Sequence, residues 1–214
     1  MRQEERKIQA KRKIQAKRKI MDNALLEFAT RGYSASSVNN IYDSEQGISK
    51  ELIYHYFKSK DELFLACVEE CFEQLKEYIQ NHIFIKTESS SLKECLTQYY
   101  KTRMIFFHEN PLYQKIFCEA VIVPPAHLKS EITHRRKALE NMNIQILEQF
   151  LSKISLRDQF QQSEVAKLFV QFLNFMDLQS RTTENHVLDL QEYEQRGQVI
   201  MDIFLFGVVK KEAI

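Results

Sequence analysis

The sequence predicts an all-α protein, and three observations carry that expectation. Only four Gly and three Pro occur in 214 residues, too few for the many turns of an all-β fold. Apolar residues recur at helical spacing, as in Ile20, Ala24 and Phe28, and Ser residues stand where helices would need caps. A chain that is 44% hydrophobic and 28% charged can also bury a full core in one or two domains.

Residues 7–18 are a perfect tandem hexapeptide, KIQAKR twice, and Lys19-Ile20 begins a third copy. A period of six rotates a helix by about 600° per repeat, so Ile8, Ile14 and Ile20 point to three sides. The segment 1–19 is therefore a basic extension that can be helical without docking one stripe on a core. It reads either as an arm that grips phosphates or a minor groove, or as a solvated extension. The first core helix is expected from near Ile20 to near Thr30, before Gly32.

Ser37 can cap a helix running towards Glu45, Gly47 suits the bend, and Ser49 can cap a short helix that carries Lys50, Tyr54 and His55. Ser59, three residues before Glu62, forms a capping box for the next helix. Helix, turn and short helix together outline a DNA-reading module. Ile41, Leu52 or Ile53, Phe57 and Leu63 are its expected core. Charge agrees with that placement: residues 1–60 hold 13 Lys and Arg against 7 Asp and Glu, whereas residues 61–214 hold 17 against 22. The basic end supplies a phosphate attraction that weakens steeply with salt.

Tyr54, Tyr56, Phe57, Ser59, Lys60 and Leu63, with Phe28, Ala29, Gly32, Tyr33, Ser37, Val38 and Ile41 upstream, resemble the N-terminal signature of the TetR family of bacterial transcriptional regulators. The resemblance spans roughly residues 20–66. Between Ile41 and Gly47 the sequence is one residue longer than the usual family spacing, and Glu51-Leu52 stand where a small residue and a hydroxyl residue are common. The resemblance implies that the first helix of the motif crosses the DNA backbone, with Ser36, Ser37 and Asn39 at its start beside phosphates. It implies that the second enters the major groove, with Lys50 and Glu51 towards base edges. Tyr54, His55, Tyr56 and Lys60 take positions that in the family meet backbone, sugar or thymine methyl groups. The partner is then a palindromic double-stranded operator, bound by a homodimeric repressor.

A helix from Lys60 to about His82 leads from the module into residues 67–214, read as a helical domain for dimerisation and effector sensing with Ser91–Glu109, Leu112–Val121, Ala126–Ser152, Ser163–Arg181 and Tyr193–Lys210. The last two are apolar around much of their circumference. Phe169, Phe172, Leu173, Met176, Ile200 and Phe204 are thus expected in a four-helix homodimer interface, which the resemblance also implies; monomer core is the alternative. Phe84, Tyr99, Tyr100, Phe106, Phe107, Tyr113 and Phe117 are candidates to line a pocket for a small apolar or aromatic effector, with Arg103, His108, Gln114 or Glu119 as polar anchors.

Cys67, Cys71, Cys95 and Cys118 read first as reduced, buried thiols, since no Cys-x-x-Cys pair occurs. Glu131 and His134 make one Glu-x-x-His step, where a di-iron bundle needs two. No phosphate loop, zinc-protease motif or nucleophile elbow occurs, so no catalysis, cofactor or metal is expected. No run approaches the roughly 20 apolar residues of a membrane span, and a cytoplasmic protein is expected. A basic architectural DNA protein and a helical-bundle enzyme are the alternative functions.

Overall fold

The computed structural model describes residues 2–42, 48–83, 91–152, 154–182 and 190–209. The described residues form α1 (Arg2–Ala35), α2 (Val38–Ile41), α3 (Lys50–Tyr56), α4 (Lys60–His82), α5 (Leu92–Glu109), α6 (Pro111–Ile122), a 3-10 turn (Ala126–Leu128), α7 (Lys129–Leu151), α8 (Gln162–Thr182) and α9 (Leu190–Val208). The all-α expectation holds. Among the described residues β pairing between identified partners is a single bridge, Leu156 to Val209.

Helix α1 begins far earlier than expected. Residues 2–19 contain no Gly or Pro and are rich in Lys, Arg, Gln and Ala, all strong helix formers, so the basic extension runs straight into the core helix. Burial begins at Ile20: Lys7–Lys19 are exposed apart from the half-buried Ala16. Gly32 then breaks the helix with φ 72° and ψ 165°, a backbone region essentially reserved for glycine. The helix expected to run from Ser37 towards Glu45 is seen as Val38–Ile41. Residues 43–47, with Glu45 and Gly47, lie outside the described residues, as does Phe84.

The chain forms two compact units, and these do not follow sequence order. Met1–Cys71 join Pro111–His134 in the first, and Phe72–Asn110 join Arg135–Ile214 in the second. The first unit thus continues past residue 66, the expected end of the DNA-binding domain, to Cys71, and it also takes in α6 with the following turn.

In the second unit, α5 and α9 approach closely at Gly197, where an added Cβ would overlap the Tyr100 ring. Ion pairs Lys93–Asp202, at 2.6 Å, and Lys101–Glu194 flank this contact. Arg103 is 1% exposed, and its Nη2 donates to Asn174 Oδ1 at 3.0 Å, tying α5 to α8. Phe169 of α8 meets Phe204 of α9 at 4.6 Å between ring centroids. At the end of α9 the Arg157 side chain donates to the carbonyls of Phe206 and Val209, at 2.7 and 3.2 Å, satisfying acceptors that a helix C-terminus leaves open.

Phe169, Leu173 and Met176, expected at a homodimer interface with monomer core as the alternative, are buried within this one chain. Phe172, Ile200 and Phe204 are half-buried. Apolar side chains also stand outward on each helix, Leu168 and Phe175 on α8 and Val199, Ile203 and Phe206 on α9, each at least 50% exposed.

Candidate nucleic-acid interface

The first unit is built around aromatic rings from distant parts of the chain. Phe28 of α1 packs edge-on to Phe64 of α4 at 5.1 Å, and Tyr33 tilts against Phe64 at 5.0 Å. Ile20, Ala24, Ile41, Ile48, Ile53, Phe57 and Leu63 complete the core beneath the motif. Leu52, the alternative to Ile53, is only half-buried.

Glu27 organises the entry to α2. Its carboxylate accepts from the Ser37 N–H at 3.2 Å and from Asn40 Nδ2 at 2.8 Å, and Arg31 Nε lies 3.4 Å away. Ser37 caps α2, its hydroxyl accepting from the Asn39 N–H at 3.2 Å. Ser36 is a correction. It is buried and its hydroxyl donates to the carbonyls of Gly32 at 2.5 Å and Glu27 at 3.2 Å, so it fixes the α1–α2 bend and does not present itself to phosphate. Asn39 is exposed.

Helix α3 is capped by Ser49, whose hydroxyl accepts from the Leu52 N–H at 3.1 Å. Ile53 and Phe57 point inward, leaving Lys50, Glu51, Tyr54 and His55 exposed together. Hydrogen bonding to its own N–H, and then to the Ser49 hydroxyl, holds the Glu51 carboxyl below the usual carboxylate range, so it is ionised at neutral pH. Such a face offers one cation, one anion, one phenol and one imidazole to a groove.

Tyr56 is half-buried; its ring is edge-on to His55 at 5.1 Å, and its hydroxyl donates to the Lys13 carbonyl at 3.2 Å. Lys60 places Nζ 4.4 Å from the Tyr33 ring centroid, a cation–π contact. At the start of α4, Ser59 accepts from the Glu62 N–H at 3.1 Å, while Glu62 accepts from the Lys58 N–H at 2.8 Å, one residue before the expected partner.

Helix α6 is tied to these helices along its length. Near its start, the Tyr113 hydroxyl and Arg18 Nη1 both donate to Glu70 Oε1, at 2.9 and 2.5 Å, and Cys71 Sγ donates to the Tyr113 carbonyl at 3.3 Å. Burial and then Glu70 push the Tyr113 phenol up to about 12. Near its end, Glu119 accepts from the Tyr33 N–H at 2.7 Å. Glu119, expected as a pocket anchor, is here a backbone acceptor. Beyond α6, His127 Nε2 lies 3.1 Å from the Tyr33 hydroxyl and 3.4 Å from Asp61 Oδ2, and the same hydroxyl donates to Asp61.

The candidate effector residues are divided between the units. Tyr99, Arg103, Phe106 and Phe107 are buried in the second, whereas Tyr113 and Phe117 belong to the first. Cys67, Cys71 and Cys118 are buried, and burial pushes the Cys67 thiol well above its ordinary value, keeping it protonated. Among the described residues no group of three His, Cys, Asp or Glu is placed to hold a metal ion. No helix of the described residues is long and apolar enough to cross a membrane.

Glu27, Asp61, Glu70 and His127 were missed as organising residues. The partners of Asp61, Glu70 and His127 lie 28 to 94 residues away, so no local spacing marks them. Glu27 carried one signal: it is an acid immediately before Phe28, beside the core stripe.

Residues 20–67 match the family model described as bacterial regulatory proteins, tetR family. A relative from Staphylococcus epidermidis, the biofilm operon icaADBC HTH-type negative transcriptional regulator IcaR, is 26% identical over 114 residues, 53% of this chain. The match spans 57% of that relative's length. The transcriptional regulator FadR from Bacillus subtilis, solved in complex with stearoyl-CoA, is similar in fold with a TM-score of 0.69 at 18% identity, over 86% of this chain and 96% of that one. The fatty acid degradation regulator FadR from Bacillus halodurans gives 0.69 at 15% identity, over 86% and 92%.

Proposed function

We propose that this chain, whose residues 20–67 match the tetR family model, is a repressor that binds a palindromic operator as a homodimer. The observation that carries the reading is the capped α3, with Lys50, Glu51, Tyr54 and His55 exposed on one side and Ile53 and Phe57 anchored beneath. The test is binding to duplexes from the region upstream of its own gene and to random DNA. Lys50→Ala is expected to cost about 1 to 3 kcal/mol on the operator and to relax one base position. Equal losses on operator and random DNA would overturn Lys50 as a base reader, and equal wild-type affinity for both would favour the architectural alternative.

Two half-sites must be met at a fixed spacing of about 34 to 36 Å or a multiple, so a dimer is part of the mechanism. The outward Leu168 and Phe175 on α8 and Val199, Ile203 and Phe206 on α9 support its place on these two helices. Ile203→Lys puts an unpaired charge among these side chains, and sedimentation should then report a monomer with weakened operator binding. A variant that sediments as wild type does would remove these side chains from the interface.

Release follows from the ties of α6 to α1 and α4. A shift of α6 is felt by Tyr33 through Glu119 and by Arg18 through Glu70, both on the helix that supports the motif. The effector is read as apolar. Tyr99, Arg103, Phe106 and Phe107, all buried on α5, support that class, and a long-chain acyl compound is the first to test, given the ligand of the Bacillus subtilis neighbour.

A further inference from the structure

The basic extension is a continuation of α1, and its seven cations between residues 7 and 19 have no acid among them. Lys17 and Arg18 are committed to the protein. Arg18 pairs with Glu70 at 2.5 Å and Asp22 at 2.9 Å, and Lys17 places Nζ 5.6 Å from the Phe57 ring centroid. Lys7, Lys11, Arg12 and Lys13 are exposed and make no ion pair among the described residues.

The extension is also fixed in place relative to the reading helix. The Tyr56 hydroxyl at the end of α3 holds the Lys13 carbonyl, and Lys17 covers the adjacent Phe57 ring, so residues 13–17 lie against the C-terminal end of α3. From Lys13 back to Arg2 the helix extends roughly 16 Å at about 1.5 Å per residue. That length corresponds to roughly five base pairs at about 3.4 Å each.

We propose that this helix is a second DNA-binding element, whose cations Lys7, Lys11, Arg12 and Lys13, spread around it, meet phosphates flanking each half-site. Charge complementarity selects duplex DNA as its partner. A membrane surface or a partner helix would need one apolar stripe, whereas Ile8 and Ile14, 51% and 70% exposed, lie on different sides of this helix with cations between them. The inference rests on the operator-binding reading and adds a longer footprint, with affinity in the flanks that does not depend on their sequence.

The test compares the full chain with a variant in which Lys7, Lys11, Arg12 and Lys13 are all replaced by Gln, a substitution that keeps helix propensity and can be checked by circular dichroism. The probe is the operator duplex located by footprinting upstream of its own gene, made with flanks of about six base pairs and trimmed to the half-sites. The wild type should lose affinity on the trimmed duplex, and the variant should bind both duplexes alike. The variant's salt slope should be shallower by about 0.9 for each phosphate no longer neutralised, so that four contacts in one arm amount to about a hundredfold between 50 and 200 mM salt. Selective wild-type binding with no dependence on the flanks, or an unchanged salt slope in the variant, would overturn the arm alone. Failure of the wild type to select any upstream duplex would overturn the operator reading, and the arm with it.

Discussion

Phe64→Ala is expected to destabilise the protein by about 3 to 5 kcal/mol, the range for removing a fully buried phenyl ring. Phe64 is 0% exposed, and its ring is the one that both Phe28 and Tyr33 meet, at 5.1 and 5.0 Å. Truncation therefore opens a cavity between α1 and α4 and also unseats Tyr33, whose hydroxyl reaches Asp61 and His127 and whose ring lies beneath Lys60. At roughly 2 to 4 °C per kcal/mol for a chain of this size, calorimetry should show the transition falling by roughly 6 to 20 °C. A fall under about 2 °C would mean that these rings are not the centre of the unit. DNA affinity should disappear as the first unit melts, because α3 is held by the same core.

The second large effect is expected at Gly32. With φ 72° and ψ 165°, any L side chain there is strained by about 1 to 3 kcal/mol. An added Cβ would also come to 3.3 Å from Glu119 Oε1, the acceptor of the Tyr33 N–H. Gly32→Ala therefore acts on the backbone and on the α6 contact together, and it moves a carbonyl that receives the Ser36 hydroxyl. Both a lower melting temperature and a loss of operator affinity at temperatures well below melting are expected. An alanine variant as stable as its parent would show that α1 can turn without this conformation; one that is destabilised yet binds fully would separate the bend from the placement of α2.

Features that depend on neighbours in sequence were legible, and those that depend on distant partners were not. Ser37, Ser49 and Ser59 accept from helix N–H groups as their positions suggested, because a cap is decided within three residues. The helix expected from Lys60 to about His82 is observed as Lys60–His82, and Asn110-Pro111 separates α5 from α6 as expected. Ser36 was misread because a hydroxyl beside a cap looks the same in sequence whether it turns out to phosphate or back to Gly32 and Glu27. On α8 the apolar pattern covers so much of the surface that periodicity could not say which stripe faces α9; the Phe169–Phe204 contact decides it. The linking of α6 to α1 was invisible, since Glu119 and Tyr33 are 86 residues apart.

The hexapeptide repeat has a consequence for how such a protein can change over generations. One KIQAKR unit adds three cations, about 9 Å of helix and a net turn of about 240°. A tandem repeat can gain or lose a unit in frame, and the change falls upstream of Ile20, where burial starts. Reach and charge of the proposed arm can therefore be altered in discrete steps while the folded core and the exposed face of α3 stay as they are. Under the proposed roles, occupancy of the operator becomes a property that inheritance can tune separately from its sequence.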